Sequence, residues 1–416
     1  MLNKTIKNLQ YYKFSAYGFL KNLRFFDAFF ILFLIDQGLS YTQIGVLYAV
    51  REIAINLLEI PSGMMADAFG RRKALIISFL SYIASFLIFY FSNNFFLFLL
   101  AFILFGAGDA FRSGTHKGLI MDYLKQQGWS EQKIAYYGHT RSWSQRGSAL
   151  SSIIAGLIIF TGGNYQNIFL FSTLPYVLNM LLILSYPKVL DQGNKSSKKE
   201  ALGTIFKSFF TVIKDLKVIK LISHSALHSA YLKAIKDYIQ PLMLQVAILI
   251  PLIQDVDRER QNGLTIGVFY FVIYLITSFA SRSASSIEKK NKRNIVMLTL
   301  MLGFSAGILS GVLYQNGLHI LALIAFILIY IIENIRKPIM TGYVADEVPG
   351  EILSSVLSAQ SLIKTIMTAG IALAFGIIAD WMGIGWALCI VSMILIGTLF
   401  ILGLFTSKKK ITETSV

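Results

Sequence analysis

The sequence predicts an all-α membrane protein that crosses the bilayer twelve times, in two halves of six helices. Three observations carry this expectation. Apolar runs of about 20 residues, the length a helix needs to cross the hydrocarbon layer, recur along the chain with short polar connections between them. Charged residues make up 14% of the chain against 55% hydrophobic, and mean hydropathy is +0.62; soluble proteins carry about 25% charged residues. Basic clusters fall on alternate connections, as the positive-inside bias requires.

Hydropathy over a window of about 19 residues places the first six spans near 15–36, 43–66, 74–93, 95–121, 137–161 and 165–187. The second six fall near 219–246, 263–286, 294–314, 317–343, 352–378 and 383–406. Between them, 188–218 is the one substantial polar interruption. Its Gly-Asn-Lys-Ser-Ser-Lys-Lys run, followed by Ile205, Phe209, Val212 and Ile213, predicts a cytoplasmic linker leading into an interfacial helix. The expected organisation is therefore an N-terminal bundle over 1–187, the linker, a C-terminal bundle over 219–406 and a tail over 407–416.

Charge sets the orientation. Arg71, Arg72 and Lys73, then Lys125 and Lys133, Lys195 with Lys198 and Lys199, Lys289 to Arg293, and Lys408 to Lys410 lie on alternate connections. Both termini are thus expected in the cytoplasm, and the protein as a multi-pass component of the inner (plasma) membrane. The opening stretch, with Lys4 and Lys7, lacks a short apolar core and a small-residue cleavage site, so the first span is expected to act as its own insertion signal. The formal net charge of +16 sits in short segments flanking the spans. Membrane topology explains it better than a nucleic-acid partner does. Cys389 is the single cysteine, which excludes an intrachain disulfide and a cysteine metal cage. No cofactor or metal is expected.

One stretch is more specific than hydropathy. Gly63-Met-Met-Ala-Asp67-Ala-Phe-Gly70-Arg71-Arg72-Lys73 is a tight charged turn wedged between two spans. A positive-inside turn accounts for its three basic residues, but not for Asp67 or the paired glycines, which permit close helix approach and a sharp bend. The stretch resembles the signature loop between helices 2 and 3 of the major facilitator superfamily (MFS), G-x-x-x-D-basic-x-G-R-basic-basic. Ala68 departs from it, standing where that family has a basic residue. The resemblance implies two pseudo-symmetric six-helix bundles with a substrate held between them near mid-membrane. It also implies a gate built from Gly63, Asp67, Gly70, Arg71 and Asp122. In that gate Asp67 meets the first-turn amides of span 11 near Leu353 to Ser355, and Arg71 pairs with Asp122. Two further stretches resemble family motifs more loosely: Arg112-Ser113-Gly114 in span 4, and Arg336 with Pro338 in span 10. Span 5 departs, since Gln145 to Gly156 has no proline where drug/proton antiporters carry a glycine-proline pattern.

Ionisable residues inside a span cost about 2.5–3.5 kcal/mol at the bilayer centre, so they face a cavity or a partner. Lys21, Arg24 and Asp27 recur at i, i+3, i+6 in span 1, and Asp109, Arg112 and His116 at i, i+3, i+7 in span 4. Spans 1 and 4 line the cavity in the resembled family. Arg24, Arg112, His116, Lys233 and Lys364 are therefore the expected substrate-binding residues, because guanidinium and ammonium groups hold carboxylate or phosphate. The competing reading is structural: Arg24 with Asp27, Arg112 with Asp109 and Arg336 with Glu333 neutralise one another. Proton coupling needs a group that titrates near ambient pH, and Asp27, Asp109, Glu52 and Glu333 are the candidates, with Asp27 and Asp109 foremost. His224 and His228 lie at i, i+4, but no third ligand accompanies them.

The expected function is secondary active transport of a small organic solute by alternating access, coupled to protons. The excess of cavity bases points to an anion such as a carboxylate metabolite or carboxylate siderophore. The alternative is proton-driven multidrug efflux, favoured by the many aromatic residues, although aromatics also fill lipid-facing positions. An enzyme is not expected, since neither a nucleophile constellation nor a metal motif occurs. The expected partners are the solute, protons and the lipid bilayer, with the protein a monomer.

Overall fold

The computed structural model describes residues 6–187, 216–249, 258–290, 295–348 and 353–403, and among them every regular element is helical. The helices are α1 (Leu9–Lys21), α2 (Phe30–Asp36), α3 (Tyr41–Phe69), α4 (Arg71–Phe91), α5 (Phe95–Arg112), α6 (Thr115–Gln126), α7 (Lys133–Gly162) and α8 (Asn167–Leu184). They continue as α9 (Leu216–Ile235), α10 (Ile239–Leu249), α11 (Arg258–Lys290), α12 (Ile295–Gln315), α13 (His319–Glu347), α14 (Leu353–Met382) and α15 (Ile384–Gly403). The expected linker with its interfacial helix, up to residue 215, and the basic tail lie outside the described residues.

Seven of these helical stretches are long and apolar enough to cross a membrane, and Ile384–Phe400 is a shorter apolar helix. Four more polar stretches, 9–36, 41–69, 133–162 and 216–249, complete the twelve crossings. These stretches are broken or carry charges: Lys21, Arg24 and Asp27; Arg51, Glu52 and Glu59; Arg141 and Arg146; Lys233, Lys236 and Asp237. A helix with a polar face is tolerated in lipid only where that face meets protein or a water-filled cavity.

The chain clusters into two compact units, one of 1–37, 53–196 and 251–271, the other of 38–52, 197–250 and 272–416. In the first unit the core is aromatic. Phe26, Phe30, Phe33, Phe86, Phe89, Phe102, Phe105 and Phe169 are buried, with the Phe30 and Phe102 rings stacked at 5.2 Å and Phe33 edge-on to Phe169 at 4.6 Å. Leu170, Leu174, Leu178 and Leu181 are exposed at one-turn spacing on α8, the pattern of a lipid-facing stripe. Hydroxyls on α7 satisfy themselves against the preceding turn: Thr140 donates to the Tyr136 carbonyl, Ser144 to Thr140 and Ser148 to Ser144.

Spans 1, 4 and 7, each read as one continuous helix from hydropathy, are broken. Span 1 ends its first helix at Lys21, makes a 3-10 turn over Phe25–Ala28 and resumes at Phe30. Asn22 anchors the break by donating to the Ser144 carbonyl at 2.7 Å. Span 4 breaks at Ser113–Gly114, where Gly114 takes φ +69°, a left-handed value that favours glycine. In the second unit, span 7 breaks at a 3-10 turn over Lys236–Tyr238. Each break leaves a cation in the last turn of the helix before it: Lys21, Arg112 and Lys233. That is where the helix dipole favours positive charge.

Small residues allow close approach where α7 meets the start of α11. A Cβ on Gly267 would lie 2.7 Å from the Ser152 carbonyl oxygen and 3.0 Å from the Gly156 Cα. Both are backbone atoms and cannot rotate away. Gly267→Val is expected to lower the thermal midpoint in detergent, reflecting an overpacking cost of about 1–3 kcal/mol; an unchanged midpoint would show that the helices have room.

In the second unit, the Asp380 carboxylate at the end of α14 accepts from the backbone N–H groups of Tyr41 at 2.7 Å and Thr42 at 2.8 Å. It caps α3 from a distant part of the chain, satisfying amides a helix start leaves open.

Candidate functional site

The first unit holds a cavity of about 290 Å³ lined by Tyr17, Lys21 and Asn22 of span 1, Arg112, Gly114, His116 and Lys117 of span 4, and Tyr137, Thr140, Arg141, Ser144 and Gln145 of α7. No carboxylate lines it. The two helix breaks put their ends at its wall, so the C-terminal turn of α1 supplies Lys21 and the first turn of α6 supplies His116 and Lys117. The N-terminus of α6 adds the positive end of its dipole.

Arg112 is held in place by its own helix and by Tyr82. Its Nη2 lies 2.7 Å from Asp109 Oδ1, its Nε donates to the Tyr82 hydroxyl at 3.0 Å, and that hydroxyl donates to Asp109. Gly108 makes the arrangement possible, because a Cβ there would sit 3.0 Å from the Tyr82 ring. His116 is buried, stacked on the Tyr17 ring at 3.5 Å, with Nε2 3.2 Å from the Tyr186 hydroxyl. Arg24 does not line this cavity: its Nε is 3.4 Å from Asp27 Oδ2 and its guanidinium lies over the Phe26 and Phe105 rings at 5.1 and 5.8 Å.

The second unit carries two further charged clusters. Glu52, fully buried, receives Lys233 Nζ at 2.6 Å and Arg51 Nη2 at 3.4 Å. Lys364 lies within electrostatic reach of Lys233. Beside them Tyr48 donates to Asp237 at 2.8 Å, and Lys236 is 3.1 Å from the same carboxylate. In the other cluster His228 Nδ1 is 2.7 Å from Glu333 Oε2, and the Ser229 hydroxyl donates to Glu333 Oε1. The Arg336 guanidinium donates instead to the carbonyls of Val296 and His224 and to the Thr299 hydroxyl. Glu333 thus finds its direct partners on span 7 rather than one turn along its own helix.

At the signature turn, Gly70 takes φ +102° and opens α4. Arg71 Nη1 is 3.1 Å from Asp122 Oδ2, and the room for it comes from Gly118, where a Cβ would collide with the guanidinium. Gly63 sits inside α3, with no described atom within 4 Å of the place a Cβ would take. The Asp67 side chain and those of Leu353 to Ser355 lie outside the described residues.

Sequence reading did not place Tyr17, Tyr82 or Arg141 at the site, and gave Lys21 no role. Tyr17 and Lys21 share one face of α1 at i, i+4, a signal that was available. Arg141 shares a face of span 5 with Tyr137, Thr140, Ser144 and Gln145 at helical spacing, which was likewise available.

The sequence profile described as Major Facilitator Superfamily matches residues 19–369. The chain belongs to that superfamily. This MFS transporter is 23% identical over 390 residues to YxaM of Bacillus subtilis (strain 168), an uncharacterised MFS-type transporter, covering 93% of this chain and 92% of that one. It superposes on the crystal structure of a point mutant of the nucleoside transporter NupG with TM-score 0.75 at 12% identity, covering 95% of this chain and all of the other. A point mutant of the peptide transporter POT gives TM-score 0.65 at 14% identity over 96% of each chain. These likenesses show the fold. The protein is a multi-pass membrane transporter of the secondary, MFS type.

Proposed function

We propose that this transporter carries a small organic anion, such as a carboxylate metabolite or carboxylate siderophore, by alternating access coupled to protons. The observation that carries the reading is the cavity without carboxylates, lined by Lys21, Lys117 and Arg141 beside the Asp109-paired Arg112. A site with so much uncompensated positive potential attracts anions and repels cations. Arg112 and His116 belong to this site. Lys233 and Lys364 add positive charge in the second unit, while Arg24 supports span 1 through Asp27.

For coupling, the partners decide. Asp27 and Asp109 each pair with an arginine, which keeps its proton throughout any cycle. Glu52 pairs with a lysine as well as Arg51, and Glu333 with a histidine, so each has a partner that exchanges protons or swings away. Glu52 and Glu333 are the stronger candidates, which reverses the order expected from sequence. The gate is proposed to work through the two ends of α3: Asp380 caps its start in this structure, and Asp67 at its other end serves as the inner latch together with the Arg71–Asp122 pair. The distribution of basic connections favours cytoplasmic termini and a plasma-membrane location.

The test is uptake into proteoliposomes with an imposed pH gradient and a panel of labelled carboxylates. Accumulation that collapses when a protonophore is added is expected. Uptake confined to cationic or neutral amphipathic solutes would overturn the anion reading in favour of multidrug efflux.

A further inference from the structure

The cations in the cavity are not equivalent. Arg112 carries its own counter-ion, since Asp109 lies 2.7 Å from its guanidinium, and the two together contribute little net charge. Among the described residues no carboxylate lies within ion-pair distance of Lys21 or Arg141. Lys21 is partly buried at the end of α1, within electrostatic reach of Arg112, Arg24 and Arg141 and of the Asp109 carboxylate, so cations outnumber the one acid around it. Lys117 and Arg141 are both exposed, but the Lys117 ammonium is already engaged over the Tyr137 ring at 5.4 Å.

Tyr17 lines the cavity with its ring, while its hydroxyl is buried away from water and has no hydrogen-bond partner among the described residues. His116, stacked flat on the Tyr17 ring and tied to Tyr186, fixes the direction of that hydroxyl. The cavity, at about 290 Å³, stands at the lower end of the roughly 300–1,000 Å³ typical of small-molecule sites.

We propose that the site selects dianions, with Lys21 and Arg141 each neutralising one negative charge, while Arg112 orients the anion without adding net charge. The proposal rests on the anion reading above and narrows it to solutes with two negative charges, either two carboxylates or one phosphomonoester. A monoanion leaves one of the two cations uncompensated. That is the physical basis of the discrimination.

The experiment uses the full-length protein reconstituted in proteoliposomes, with uptake inhibition by paired probes: succinate against butyrate, and glycerol phosphate against glycerate. Wild type is expected to prefer the dianion of one pair by about 10-fold or more, the scale of one additional charged hydrogen bond. The pair that shows the preference identifies dicarboxylate or phosphomonoester. Lys21→Met and Arg141→Gln are each expected to weaken the dianion about 10- to 100-fold, leaving the monoanion within about 3-fold, whereas Arg141→Lys retains the preference. Monodispersity on size exclusion verifies folding of each variant; should a neutral variant fail to fold, the wild-type ratio alone decides. Equal competition by monoanion and dianion at wild type, or equal losses of both in the variants, overturns the proposal while the anion reading stands. If no anion competes and neutral or cationic solutes do, the anion reading itself fails.

Discussion

Arg112→Ala is expected to lower affinity for the anionic solute roughly 30- to 5,000-fold, corresponding to the ~2–5 kcal/mol lost when one partner of a hydrogen-bonded charge pair is truncated. Two effects add. The cavity loses a donor, and Asp109 is left with only the Tyr82 hydroxyl, so a carboxylate uncovered beside the site repels the solute. The double variant Arg112→Ala/Asp109→Ala separates them, because removing the stranded carboxylate should restore part of the affinity while the missing donor is still felt. Arg112→Lys should recover little, since a single ammonium cannot meet Asp109 and Tyr82 at once in the way Nη2 and Nε do. Competition binding with the transported solute is the measurement. Unchanged affinity in the single variant would return Arg112 to a purely structural role in joining spans 3 and 4.

Much of the fold was legible because lipid imposes a simple rule. Spans such as 74–93 and 165–187 satisfy their backbone internally and expose apolar side chains, and hydropathy reads that directly. The signature turn was legible for a different reason: Gly70, Asp67 and the basic triplet have fixed offsets in a stretch too short for tertiary context to rewrite. The breaks in spans 1, 4 and 7 were not legible. Hydropathy averages over them, and what stabilises them is remote, as with Asn22 on the Ser144 carbonyl. Only the Ser113-Gly114 pair, a turn signal inside a long span, offered a local hint.

The pairings were harder still. Helical spacing correctly placed Arg112 beside Asp109 and Arg24 beside Asp27, since those lie one turn apart. It says nothing about which helix stands opposite. Glu52 meets Lys233, and Glu333 meets His228, across more than a hundred residues of chain. The same limit hid the Asp380 cap on α3, where an acid near a helix C-terminus looks misplaced until the amides of Tyr41 and Thr42 are found beside it. Local spacing therefore favoured the locked acids, Asp27 and Asp109, over those whose partners lie on other helices.

Glu52→Gln is expected to abolish accumulation driven by a pH gradient while solute exchange across the membrane persists. Glu52 is fully buried and holds Lys233 at 2.6 Å, so its negative charge is what keeps that ammonium in place. In the proposed cycle a proton arriving on Glu52 neutralises the pair's attraction and releases Lys233, and departure of the proton restores it. Glutamine fixes the side chain in the neutral state. It preserves the shape and one hydrogen-bonding oxygen but cannot cycle, so net transport linked to proton movement stops, whereas exchange of solute for solute needs no change in protonation. Because Lys233 is about one-third exposed, solvent moderates the cost of unpairing it, and the variant should fold. Proteoliposomes loaded with unlabelled solute measure exchange, and empty ones under an imposed gradient measure accumulation. Loss of both activities in a well-folded variant would make Glu52 a structural anchor for span 7. Full accumulation would move the coupling role to Glu333, whose partner His228 is the other group able to carry the proton.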